Sequence, residues 1–183
     1  REFRKTGKPV SVKRDDILDL ALEDYQEQAD VAQQGLERAA RLLSRQKIFD
    51  SKNLPYGTQL VPLAAVCGFL GDRFEEEAAR NKLTRWYWCG VFGEMYGGAN
   101  ETRYAMDMVD LLREILDAGP EPRTVRDADF APLRLLTLQS RVSAAYKGLF
   151  ALMVKRGSQD FINGDPIAHT TGFELPVDIH HIF

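Results

Sequence analysis

The run Trp86-Tyr87-Trp88-Cys89-Gly90-Val91-Phe92, followed by Met95 and Tyr96, leaves no polar face on a helix that contains it. A helix apolar all round is stable in water only when other elements enclose it, so this segment predicts the centre of a multi-helical body. The preceding residues supply an enclosing helix. Apolar side chains recur at helical steps through Ile17, Leu18, Ala21, Leu22 and Tyr25, then Ala29, Ala32, Leu36, Ala39, Ala40 and Leu43. One long helix, or two with a break near Asp30, both fit that pattern.

Loop-forming residues from Asp50 to Gly57 come next, with Thr58 the candidate cap of a helix that carries Pro62 in its first turn and ends near Gly68 or Gly71. Asp72 is expected to start the central helix and Gly97-Gly98 to end it. Gly90 and Gly93 inside it predict close approach of a neighbouring helix, because Gly otherwise costs about 1 kcal/mol relative to Ala there. Asn100 is the candidate cap of a helix carrying Tyr104, Met108, Leu111, Leu112 and Ile115, which Gly119, Pro120 and Pro122 stop. The spacing of Leu135, Leu138, Val142, Ala145, Leu149 and Leu152 predicts a last long helix from Pro132 to Arg156. Lys155 and Arg156 suit its C-terminal dipole, and Gly157 its cap. The expected fold class is all-α, a multi-helical bundle over residues 1–157. A short irregular or β-like tail, 158–183, follows, with Asn163-Gly164 as a tight turn.

Composition excludes several classes. At 183 residues and 44% hydrophobic, the chain suits one compact domain with a small appendage at most. Its 24 Lys and Arg against 27 Asp and Glu give a formal charge of −3, so no global positive field holds nucleic acid. Cys67 and Cys89 stand far apart, which excludes a disulfide-rich scaffold and a CxxC metal motif and makes a reducing, cytoplasmic setting the expectation. Leu60 to Leu70 is too short for a membrane span of about 20 residues, and no membrane partner is expected. The sequence opens at Arg1 without Met and stops at Phe183 within an apolar, extended run, so it is expected to be a piece of something longer.

The residues with the most chemistry are at the end. His169, His180 and His181 all fall in the last 15 residues. In Asp178-Ile179-His180-His181, a carboxylate and an imidazole are natural ligands of a divalent ion, and a second imidazole suits a general base near neutral pH. On a regular strand Asp178 and His180 face one way and His181 the other, so a joint site needs a strand end or irregularity. Elsewhere Trp86, Tyr87 and Trp88 are either core or a stacking platform for a base. Glu94 is either a functional carboxylate or an ion-pair partner. Arg134, Arg141 and Lys155 form one stripe of the expected last helix, solvated or touching phosphates. Cys67 and Cys89 are expected as small core residues and His169 as an exposed loop residue.

The run VDIHHIF, Val177 to Phe183, resembles the opening of the His-Asn-His (HNH) nuclease module at the C-terminus of GmrSD-type restriction proteins. The resemblance extends back through KRGSQDFINGDPI (Lys155 to Ile167), RVSAAYKGLFALM (Arg141 to Met153), TRWYWCGVFGEMYGGANETRYAMD (Thr84 to Asp107) and LPYGTQLVPLAAV (Leu54 to Val66). These stretches are similar to the helical region between a ParB-like N-terminal domain and the HNH module.

The resemblance implies that His181 is the base that deprotonates water. His180 is implied as a ligand of a divalent metal, Mg or Mn, and Asp178 as a supporting or coordinating residue. The module's hairpin, central Asn and closing helix are not in this sequence, so 158–183 is expected to be a linker and the start of that module. The chain alone is expected to hold no metal tightly and to cut no DNA. The implied function is a metal-dependent DNA endonuclease of restriction or phage-defence type. Its helical part would position or couple the HNH module, with DNA, an upstream ParB-like domain and the downstream module as partners. The competing reading is a non-enzymatic helical protein-interaction domain whose final His pair is structural.

Overall fold

In the computed structural model, which describes residues 10–98, 101–138 and 140–167, α1 spans Arg14–Leu18, α2 Leu22–Arg45 and α3 Leu60–Leu70. They are followed by α4 at Glu77–Phe92, α5 at Glu101–Leu116, α6 at Arg123–Arg126 and α7 at Ala144–Lys155. Short 3-10 turns occupy Gly57–Gln59, Gly71–Glu75 and Pro132–Thr137. The β pairing among the described residues is one isolated bridge, Gln159 to Pro166. It closes a turn in which Gly164 has φ +76°, at the Asn163-Gly164 pair predicted to turn. The class is all-α, as the apolar periodicity predicts.

The core forms where apolar α3 and the apolar C-terminal half of α4 are enclosed, while the first half of α4 is amphipathic, with Glu77, Asn81 and Arg85 exposed. α3 packs between α2 and α5, while α4 touches α5, α6 and α7. Leu63, Val66 and Cys67 of α3 and Leu83, Trp86 and Val91 of α4 have no exposed surface. Pro62 is accommodated in the first turn of α3, where backbone N–H groups have no helical partner to lose. The tightest helix crossing is between α2 and α3. A Cβ on Gly35 would strike Ala64 O and lie 3.0 Å from Gly68 N, and one on Gly68 would lie 2.8 Å from Val31 O. A second close approach is made by Gly148 of α7, where a Cβ would lie 2.8 Å from Val91 Cγ1 of α4.

Several expectations change. The N-terminal pattern does break, but at Asp19 to Ala21 rather than near Asp30. Asp72 lies in the 3-10 turn and α4 begins at Glu77, because this tighter turn swings Phe74 wholly into the core. Gly90 and Gly93 do not receive a neighbouring helix. Gly90 makes room for the Gln59 amide and the Tyr96 ring, and Gly93 for its own helix end and Met95. Thr58 does not cap α3; its hydroxyl donates to Tyr96 O at 3.2 Å.

The expected helix from Pro132 to Arg156 is divided. Pro132–Thr137 is a 3-10 turn, Leu138 leaves helical geometry at ψ 74°, and α7 starts after Ser143, whose Oγ accepts from Tyr146 N at 3.3 Å. Leu135 and Val142 of the expected stripe, 44% and 81% exposed, show that the spacing alone created the expectation of a buried stripe. A serine cap outweighed it.

Helix α4 also stops early, and its end is informative. Met95 N donates to Gly90 O and Glu94 N to Val91 O, both at 3.1 Å, the paired bonds of a Schellman motif. Glu94 occupies the left-handed position of that motif, at φ 52°, where Gly is the usual residue. At the end of α7 Gly157 fills the equivalent place at φ 86°, as expected for its cap.

Candidate functional site

The most concentrated polar chemistry among the described residues lies where the end of α4 meets α5 and α6. Asp107 on α5 is 1% exposed. Its Oδ2 accepts from the Tyr96 hydroxyl, and its Oδ1 accepts from Thr124 Oγ1 of α6 at 2.7 Å. Arg103, one turn before Asp107, donates from Nη1 to the same Thr124 oxygen at 3.0 Å. The Tyr96 ring is held between Trp86, edge-on at 6.1 Å, and Tyr104, stacked at 6.2 Å.

Burial raises the Asp107 pKa by disfavouring its charged form, and the bonds from Tyr96 and Thr124 and the Arg103 charge oppose that. The buried Trp86 indole N–H makes no hydrogen bond of ordinary geometry, yet it lies close enough to Asp107 to favour the carboxylate. Burial also raises the Tyr96 phenol, helped by the neighbouring Asp107 charge. Both carboxylate oxygens are thus engaged by hydroxyls inside the core, beyond reach of a substrate. Chemically the group is a clamp between three elements rather than an acid or base for a ligand.

Gln59 is a second buried polar anchor. Its Nε2 donates to Tyr87 O at 3.0 Å, fixing the turn before α3 onto α4. Gln46, after α2, accepts from Trp88 Nε1 at 3.2 Å and Lys155 Nζ at 2.7 Å. Sequence reasoning passed over Asp107, Thr124, Gln59 and Gln46 as site residues. For Asp107 a signal exists: it falls between Tyr104 and Leu111 on the apolar stripe of α5, where a carboxylate needs partners.

The residues predicted to carry function separate as follows. Asp178, His180 and His181 lie outside the described residues, as does His169. Trp86 and Tyr87 are core, and Trp88 packs against it half-buried, so the three offer no stacking platform. Glu94 is paired with Arg134 at 2.9 Å. Arg134 lies in the 3-10 turn, Arg141 in the break that follows and Lys155 on α7, so they share no helical stripe. Cys67 is wholly buried, and burial pushes its thiol up to about 12 against the lowering influence of Arg38 and Arg41. Cys89 is half-buried.

Among the described residues no three His, Cys, Asp or Glu side chains are grouped to hold a metal. None of their helices is long and apolar enough to cross a membrane. A shallow depression of about 340 Å³ opens where α2 passes the end of α3, lined by Glu27, Gln28, Val31, Gly68 and Phe69.

No known protein family matches the chain, and no solved structure does. The uncharacterized protein MJ0686 of Methanocaldococcus jannaschii is similar, 30% identical over 107 residues that cover 56% of this chain and 18% of the relative. The chain therefore spans less than a fifth of that relative's length.

Proposed function

We propose that this chain is the helical part, with the opening of the HNH module, of a metal-dependent DNA endonuclease of restriction or phage-defence type. The observation that carries the reading is the string Val177 to Phe183, with Asp178, His180 and His181, which follows the helical body after residues 156–176. The stretches that resemble the GmrSD-type proteins also supply the centre of that body. Leu54 to Val66 contributes Gln59 and Leu63, Thr84 to Asp107 contributes Trp86, Tyr96 and Asp107, and Arg141 to Met153 contributes Gly148.

In this reading Asp178 and His180 hold a divalent ion, Mg or Mn, whose donor requirements a carboxylate and an imidazole meet. That ion supplies charge stabilisation to the leaving oxygen. His181 takes a proton from the water that attacks phosphorus, a bond from that oxygen to phosphorus forms, and the bond to the leaving oxygen breaks. The helical body gives the module a rigid base and couples it to an upstream ParB-like domain in a cytoplasmic protein.

The test uses the chain extended through the rest of its reading frame, incubated with plasmid and Mn²⁺ or Mg²⁺. The extended protein is expected to cut, the 183-residue chain not to, and His181→Ala to abolish cutting with an unchanged melting curve. Absence of cutting with either metal, or cutting undiminished by His181→Ala, would overturn the reading. The second reading, a helical interaction domain, then stands; the exposed apolar residues at the start of α2 favour it.

A further inference from the structure

α2 carries one apolar seam but uses only half of it. Leu22, Tyr25, Ala29, Ala32, Leu36, Ala39 and Leu43 alternate at steps of three and four, the a and d positions of a heptad repeat. At the C-terminal end Ala39 and Leu43 are buried in the molecule's own core. Towards the N-terminus the seam is largely open among the described residues: Leu22 is 63% exposed, Tyr25 60% and Leu36 50%, with Ala29 partly buried. No residue of α2 before Gly35 is buried, and past Val31, which still meets Gly68 of α3, the segment from Leu22 to Asp30 makes about 13 Å of helix.

The positions of charge select the occupant. From Asp15 to Glu37 there are eight acidic side chains and no Lys or Arg. On α2, however, Glu23, Asp24, Glu27 and Asp30 fall at heptad positions that face away from the seam. The positions that border it are Gln26, Gln28, Gln33 and Gly35, all neutral, Gly35 being packed on α3. In a two-helix pair the bordering residues set partner choice. A seam built for a basic helix would carry its acids at that border. A neutral border with Ala29 and Ala32 at the centre lets an identical helix approach closely without like charges meeting.

We propose that this half of α2 is the contact surface for a second copy of the chain, the two projecting arms packing against each other about a twofold axis. The acidic outer faces repel weakly across that pair, and salt screens them. Dimerisation is therefore expected to strengthen as ionic strength rises, the reverse of a contact made by ion pairs.

The test is sedimentation equilibrium of the 183-residue chain over a concentration series at low and high salt. The expected result is reversible conversion from 20.7 kDa to twice that mass, tighter at high salt. Leu22→Gln with Tyr25→Gln, both at exposed positions, is expected to weaken the dimer by about tenfold or more, as loss of interface anchors does. Glu23→Gln with Asp30→Gln is expected to leave it equal or tighter, and melting curves check that each variant folds. A monomer at every concentration, assembly beyond a dimer, or a dimer indifferent to Leu22→Gln with Tyr25→Gln would overturn the proposal.

Discussion

Gly35 of α2 and Gly68 of α3 face each other at the closest crossing of the fold, with a Cβ on Gly68 lying 3.6 Å from Gly35 Cα. Nearer still are backbone atoms of the opposite helix, Ala64 O and Val31 O, which no side-chain rearrangement can move.

Gly35→Ala is accordingly expected to destabilise by about 1–3 kcal/mol, as overpacking against backbone does, despite the better helix propensity of Ala. Thermal denaturation checks this, since each kcal/mol corresponds to about 2–4 °C in a chain of this size. Gly57→Ala, at a position with open space around it, is the control that should cost far less.

Gly90 behaves differently, because its obstacle is the side chain of Gln59 rather than backbone. Gly90→Ala alone is expected to cost about 1–3 kcal/mol through that clash and the strained bond from Gln59 to Tyr87 O. Made on a Gln59→Ala background, the same change should cost less, since only the Tyr96 ring, 3.1 Å away, then has to give by a few tenths of an ångström. Urea denaturation of the two singles and the double measures this coupling, and additive effects would contradict it.

Asp107 makes stability depend on pH. Its folded pKa is raised by burial, so between the ordinary Asp value, about 4, and that raised value the folded state holds more protons than the unfolded state. Its contribution therefore falls as pH rises through this window and is restored at lower pH. Asp107→Asn is expected to flatten that slope in urea denaturation at a series of pH values. Glu114, also raised by partial burial, keeps its own contribution. Asp107→Ala leaves the Tyr96 and Thr124 hydroxyls without their acceptor and should cost about 3 kcal/mol.

Glu94 offers a gain. Its left-handed conformation costs a non-glycine residue about 1–2 kcal/mol, while its pair with Arg134 is half-exposed and contributes less. Glu94→Gly should leave the melting temperature equal or higher, and Glu94→Val should lower it.

Thiol reactivity reports on the core. With its pKa pushed up to about 12 and no exposed surface, Cys67 is expected to resist a thiol reagent at mildly alkaline pH until the protein unfolds. Cys89, half-buried and raised less far, should react first. Equal rates in the native protein would count against this packing.

The amino-acid sequence by itself determined the all-α class, the burial of Trp86 and Tyr87, the turn at Asn163-Gly164 and the cap at Gly157. Each follows from local chemistry: an apolar surface that water rejects, or a backbone angle that Gly adopts without cost. The acidic bias from Asp15 to Glu37 was equally open to reading but is missed by any search for consecutive like charges. Tertiary structure alone decided which glycines receive a neighbour, because Gly35, Gly68, Gly90 and Gly148 are alike in sequence and differ in what lies opposite. It also decided that Ser143 divides the expected last helix and that Asp107 is enclosed by hydroxyls from two other elements. It further decided which half of the α2 seam is covered. A periodic stripe states that a surface is apolar, and only the path of the rest of the chain states where its partner ends.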